Sequence, residues 1–245
     1  MEAKEESSTS ERILSMALTL FNMEGVERVA VHRIATELGI SPGNLTYHFA
    51  KRKDIIGKLV DRLEQQLLGT WDRPELATEA EEMARSLIDL FGIMWDFRFF
   101  FSSISFLFED DQDLRERYVR LEDRIFLARV AIIEAAIEAG YMRRIVAPSS
   151  PELLAGNMWD VSIATLAFDR IRHGSRSSRK ADALLKCFMR HVSLIQPYSD
   201  NLFLQELVAI AEKKIAAYES AEPPAPRRRQ GAKAARARKQ ERAGK

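Results

Sequence analysis

The sequence predicts an all-α chain. Three observations carry that expectation. Apolar residues recur at helical spacing along nearly the whole chain, strand signals are scarce, and the breaks between periodic segments fall at glycines and at a Ser-Pro pair. The 245 residues divide into a small helical domain over 1–60, a larger helical bundle over 61–220 and a basic tail over 221–245.

The first helix is expected over 9–24. Ser8 and Glu11 form a capping box, Ile13, Leu14, Ala17, Leu18 and Phe21 make its apolar stripe, and Gly25 ends it. A second helix over 31–38 buries Val31, Ile34, Ala35 and Leu38 and stops at Gly39. The third, 42–48, opens on Ser41 as N-cap with Pro42 at the first helical position, where a missing N–H and a fixed φ cost nothing. Ile40 can staple onto Leu45, and Leu45 and Phe49 lie one turn apart facing inward. The fourth helix, 52–70, carries Ile55, Ile56, Leu59, Val60, Leu63 and Leu67.

Beyond it, helices are expected over 75–95, 97–108, 112–139, 151–173, 178–196 and 200–219. The segment 97–108 is the hardest to place, because it holds six of the thirteen phenylalanines and alternates like a strand in its second half. A lone strand would leave its backbone groups unpaired, so a helix buried on most sides is expected. The tail has almost no large apolar residue and is expected to be disordered.

Composition excludes several classes. No apolar run approaches the roughly 18 residues of a membrane span, and the polar N-terminus does not read as a secretory signal. The single cysteine, Cys187, permits no intrachain disulfide, which fits a reducing cytoplasm. His32, His48, His173 and His191 are too dispersed for a metal motif, and no phosphate-binding glycine loop or nucleophile elbow is present. No enzyme activity, metal, cofactor or membrane contact is therefore expected. The net charge of +1 hides an asymmetry: from Ala221 onward nine Lys/Arg face two Glu, leaving the remainder at −6. Any nucleic-acid face on such a body must be local.

Residues 28–58 supply one, with six Lys/Arg against two acids. Two short helices joined through a glycine turn, behind a stabilising first helix, form a helix-turn-helix. In that arrangement the second short helix enters the major groove of double-stranded DNA and its N-terminal side chains reach base edges. With Leu45 and Phe49 inward, Ser41, Pro42, Gly43, Asn44, Thr46, Tyr47 and His48 face outward, and Gly43 permits close approach. Asn44 can bond bidentately to adenine, while Tyr47 and His48 reach phosphates or bases. Lys51, Arg52 and Lys53 sit where the next helix begins and its N–H groups add to their pull on phosphate. His32 and Arg33 complete the candidate DNA-binding set.

The stretch from about Ser10 to Leu59 resembles the DNA-binding domain of the tetracycline-repressor (TetR/AcrR-like) regulators. The match runs through Gly25, Ile34-Ala35, Gly39-Ile40-Ser41, Gly43, Leu45, Tyr47-His48-Phe49 and Arg52. Val29 and Ala30 depart from it where the family has Ser or Thr as a helix cap, Thr46 stands where an aromatic residue is common, and Arg52 replaces the usual lysine. The segments beginning at Asp96 and Phe188 are similar to the family's C-terminal domain. The resemblance implies a C-terminal TetR-type bundle, a homodimer through about 151–196, a pseudo-palindromic operator and a small apolar or amphipathic effector that releases a repressor from DNA. A second reading is an effector-independent architectural DNA-binding protein that relies on its basic tail.

An effector pocket is expected among Phe91, Trp95, Phe101, Phe126, Met158 and Trp159, within a stripe that also holds Met83, Leu87 and Met94. Asn157 and Asp160 interrupt an apolar helix and could meet an effector or a dimer partner. Asp169 and His173, one turn apart, read as a surface ion pair, and Cys187 as buried and inert.

Overall fold

The computed structural model describes residues 2–71, 79–109, 111–173 and 179–221. Its described residues are helical apart from turns and one isolated antiparallel bridge, Met142 with Ser199. Residues 222–245 of the basic tail and residues 75–78 of the expected fifth helix lie outside them.

α1 (Glu2–Glu24) starts well before the expected cap, so Ser8 falls inside the helix. Glu2, Ala3, Lys4, Glu5 and Glu6 are good helix formers, and the acids suit a helix N-terminus. Gly25, at φ 91°, ends it by donating to the Phe21 carbonyl at 2.9 Å. α2 (Val31–Leu38) and α3 (Pro42–His48) follow, and α4 (Arg52–Trp71) runs unbroken across the expected domain boundary. Ile55, Leu59, Leu63 and Leu67 line its buried face.

α5 (Ala80–Asp96) leads into the phenylalanine-rich segment, which forms two short helices instead of one: α6 (Arg98–Ser102) and α7 (Ile104–Glu109), parted at Ser103. Three consecutive residues of a helix fan over about 200°, so burying Phe99, Phe100 and Phe101 together requires partners on most sides. They have them: Phe99 meets Phe21 of α1 at 5.4 Å between ring centroids, Phe100 meets Tyr118 at 5.8 Å, and Phe101 meets Trp159 edge-on at 6.2 Å. The break turns the second half outward, leaving Phe106 exposed and Phe108 half-buried.

α8 (Gln112–Glu138), α9 (Pro151–His173), α10 (Lys180–Ile195) and α11 (Asn201–Ala221) complete the bundle. α5 packs against α9, α10 and α11, and α8 against α9. A single hydrophobic core runs from Ile13 in α1 to Ile215 in α11, so the N-terminal domain and the bundle are packed on one another.

Candidate nucleic-acid interface and effector cavity

α2 begins after Ala30, whose backbone is extended as an N-cap requires but whose side chain caps nothing. It ends at Gly39, left-handed at φ 66°, with Ile40 N–H donating to the Ala35 carbonyl at 3.1 Å. Glycine adopts that conformation without strain. The chain then re-enters helix at once. Ser41 Oγ accepts from the Asn44 N–H at 3.1 Å, and Pro42 occupies the first turn.

Leu45 and Phe49 are buried and fix α3 on the domain. Ser41, Pro42, Gly43, Asn44, Thr46 and Tyr47 are exposed on the opposite side, Tyr47 by 73%. His48 is half-buried, its ring edge-on to Tyr47 at 5.2 Å. The Thr46 hydroxyl donates back to the carbonyls of Pro42 and Gly43, both at 3.1 Å. On α2, His32 and Arg33 are exposed, and Arg33 pairs with Glu37 at 2.8 Å.

The three consecutive cations diverge. Lys51 is exposed, and its backbone N–H donates to Asp54 at 2.8 Å, opening α4. Arg52 turns inward, donates to the Val26 carbonyl at 3.1 Å and stacks over the Phe106 ring at 5.7 Å. Lys53 reaches Asp111 at the start of α8, at 3.0 Å.

Further contacts tie this domain to the bundle. Asn22 of α1 donates to the Asp96 carbonyl at 2.7 Å and accepts from the Phe99 N–H at 2.9 Å, so it grips the α5–α6 junction with both ends of its amide. Arg117 of α8 bonds Asp61 and Glu64 of α4, each at 2.8 Å.

Within the bundle lies a cavity of about 60 Å³. Met83, Ser86 and Leu87 of α5, Arg129, Ile132 and Ile133 of α8, and Met142, Met158, Ile195 and Leu207 line it. Arg129 is 4% exposed, its guanidinium lies 4.3 Å from the Trp159 ring centroid, and burial pushes its pKa down to about 9. Trp159 in turn donates to Glu122 at 2.7 Å. Nearby, His191 is held neutral by burial, which pushes its pKa down to about 4. Its Nδ1–H donates to the Cys187 carbonyl at 2.9 Å, and its other nitrogen faces Ser162 Oγ at 3.2 Å. Cys187 is buried, its thiol pushed up to about 12 by desolvation.

Two family descriptions match this chain. One, for the bacterial regulatory proteins of the tetR family, matches residues 13–59. The other, TetR, described as a bacterial transcriptional repressor, matches residues 62–207. The chain belongs to the TetR family. An HTH-type transcriptional regulator of Staphylococcus aureus (strain USA300) is 39% identical over 59 residues, covering 24% of this chain and 32% of the relative. The chain thus spans about a third of the length of the curated relatives it matches. A TetR-family regulator from Marinobacter aquaeolei VT8 superposes with a TM-score of 0.73 at 28% identity, over 84% of this chain and 98% of that one. A gamma-butyrolactone receptor (ArpA-like protein) shares the fold at a TM-score of 0.62 and 13% identity, over 87% and 99% of the two chains.

In this TetR-family protein the residues expected at a DNA surface fall on α2, α3 and the start of α4, with Arg52 the one turned inward. The expected effector residues scatter more. Met158 lines the cavity, while Phe91 and Trp95 border a separate void of about 10 Å³. Phe101 and Trp159 are core neighbours of each other, and Phe126 is half-buried without lining the cavity. Asn157 and Asp160 are exposed and do not line it. Asp169 and His173 pair at 3.0 Å, with Asp169 itself buried. Sequence reasoning missed Arg129 because it sits one residue before the apolar run Val130–Ile133 and reads there as a solvated charge; its position on the inward stripe of Leu121, Ile125 and Ile133 was the available signal. Among the described residues no cluster of His, Cys, Asp and Glu could hold a metal, and no described helix is long and apolar enough to cross a membrane.

Proposed function

We propose that this protein is a homodimeric, sequence-reading transcriptional repressor, released from a pseudo-palindromic operator by a small apolar or amphipathic effector. The observation that carries the reading is the N-terminal half of α3. It is capped by Ser41, anchored by Leu45, and presents Asn44 and Tyr47 to solvent. Such a helix offers base-reading side chains to a major groove, with Lys51 and the α4 N-terminus beside it for phosphate. Exposed Leu153, Phe168, Ile171, Leu185 and Met189 on α9 and α10 favour dimerisation through about 151–196. Two copies would present their α3 helices one DNA turn, about 34 Å, apart.

Release follows from the contacts between domains. An effector entering the cavity presses on α5 and α8. α5 ends in the junction that Asn22 grips, and α8 is bonded to α4 through Arg117. Displacement of either helix moves α1 and α4 and with them the spacing of the two α3 helices. The effector must bind the displaced state more tightly, or no shift results.

The test is selection of bound duplexes from random DNA at physiological salt, with the full chain and with residues 222–245 removed. Enrichment of one inverted repeat by both forms is expected. Binding that enriches nothing and disappears with the tail would replace this reading by the tail-driven architectural one.

A further inference from the structure

Thr46 is exposed on α3, yet its hydroxyl is turned back onto the helix. Oγ1 donates to the carbonyls of Pro42 and Gly43, at 3.1 Å each, so one proton is shared between two acceptors a turn earlier. The Cγ2 methyl hangs from the same tetrahedral carbon and is directed away from those carbonyls. Pro42 and Gly43 are themselves the neighbours of Thr46 one turn back along the helix surface. Both are exposed, and neither has a polar side-chain atom. This flank of α3 therefore has no side-chain proton to give: the proline and glycine carry none, and that of the threonine is committed. We infer that Thr46 determines specificity: its methyl, beside the Pro42 ring and the bare Gly43 backbone, takes the C5 methyl of one thymine in each half-site, a role that rests on the proposed entry of α3 into a major groove.

The chemistry of the groove favours that partner. Every base pair shows hydrogen-bonding groups there, and thymine alone adds a methyl. Phosphate oxygens, guanine O6 and N7, adenine N7 and thymine O4 are acceptors and call for a donor. The Thr46 hydroxyl has already spent its proton on the backbone. Adenine N6 and cytosine N4 are donors, but the oxygen they would need is the atom drawn towards the helix, and the methyl is the one left outward. Asn44, also exposed, lies about 200° round the helix from Thr46. An amide and a methyl thus read from opposite edges of the exposed face.

Burying one methyl is worth about fourfold in affinity for each half-site. The test uses the full chain and the operator recovered by selection from random duplexes. Each thymine is replaced in turn, symmetrically in the two half-sites, by deoxyuridine, which keeps every hydrogen-bonding group and removes only the methyl. At one position in each half-site the replacement is expected to weaken binding by about fourfold per half-site. Thr46→Ser keeps the hydroxyl without the methyl and should bind the thymine and deoxyuridine duplexes alike. Thr46→Val keeps a methyl without the hydroxyl and should still prefer thymine. Cytosine at that position should bind the natural protein more weakly than 5-methylcytosine. Equal binding of all thymine and deoxyuridine duplexes would overturn the inference and leave the repressor reading standing. A thymine preference that persists in Thr46→Ser would overturn it too, assigning the methyl to another residue. Failure to enrich any sequence would overturn both.

Discussion

Lys53 at the start of α4 and Asp111 at the start of α8 are paired at 3.0 Å, and Asp111 caps α8 with its other oxygen, accepting from the Leu114 N–H at 3.1 Å. One carboxylate thus serves a helix and a domain contact at once. Asp111→Ala should lower stability by about 1–2 kcal/mol, combining a lost cap with a lost ion pair. Lys53→Ala should cost under about 1 kcal/mol, because the lysine is largely exposed, and the loss should shrink with added salt. Urea melts of the two variants at low and high salt measure the difference; equal, salt-insensitive losses would contradict the double role.

Asn44 and Arg52 should fail in different ways. Asn44→Ala removes an exposed amide from α3 and should relax sequence preference, by on the order of 1–3 kcal/mol at one position of each half-site. Arg52→Ala removes the bond to the Val26 carbonyl and the stacking on Phe106, so it should lower the melting temperature and weaken all duplexes alike. Competition binding with single-substitution operators, beside thermal melts, distinguishes them. A melting temperature unchanged by Arg52→Ala would return that residue to a purely phosphate-facing role.

Ala30 occupies an N-cap position with the right backbone and no capping atom. Ala30→Ser should stabilise the protein by about 1 kcal/mol by satisfying an N–H at the start of α2. Chemical denaturation with an unchanged m-value would establish the gain.

His191 makes stability depend on acid. Its folded pKa, about 4, lies below the ordinary 6.5 because burial disfavours the cation. The unfolded chain therefore binds the extra proton first, and the neutral ring's contribution is complete above pH 6.5 and is lost as pH falls towards 4. At about 1.4 kcal/mol per unit the loss approaches roughly 3 kcal/mol. His191→Gln should flatten the stability profile between pH 7 and 4.5 relative to the natural protein; parallel profiles would exclude the histidine as the cause.

The helices with strong local signals were legible in the sequence. α3 lies where Ser41, Pro42 and Leu45 put it, and α9 spans Pro151–His173 as its periodicity predicts. The start of α1 and the break at Ser103 were not, because each depends on something other than the local pattern: propensity upstream of a plausible cap, and phenylalanines sorted among three different helices. The outward face of α3 could be read from its two inward anchors. The inward turn of Arg52 could not, since its partners Val26 and Phe106 are remote in sequence. Met83, Leu87 and Met158 of the expected stripe line the cavity, whereas its expected aromatic residues lie elsewhere. Aromatics fill space, and here they fill it against each other.

Gly43 gives the outward face of α3 an unusual accounting. A methyl group at this position would meet nothing nearer than Ser41 Oγ, 4.0 Å away, and its backbone is not left-handed. Alanine would fit the isolated protein and, by helix propensity, would make α3 more stable by up to about 1 kcal/mol. The folded monomer has no use for glycine there. The chain forgoes local stability at a spot where only an outside surface could gain from the missing carbon, and Gly43→Ala would therefore separate the needs of folding from those of whatever α3 touches.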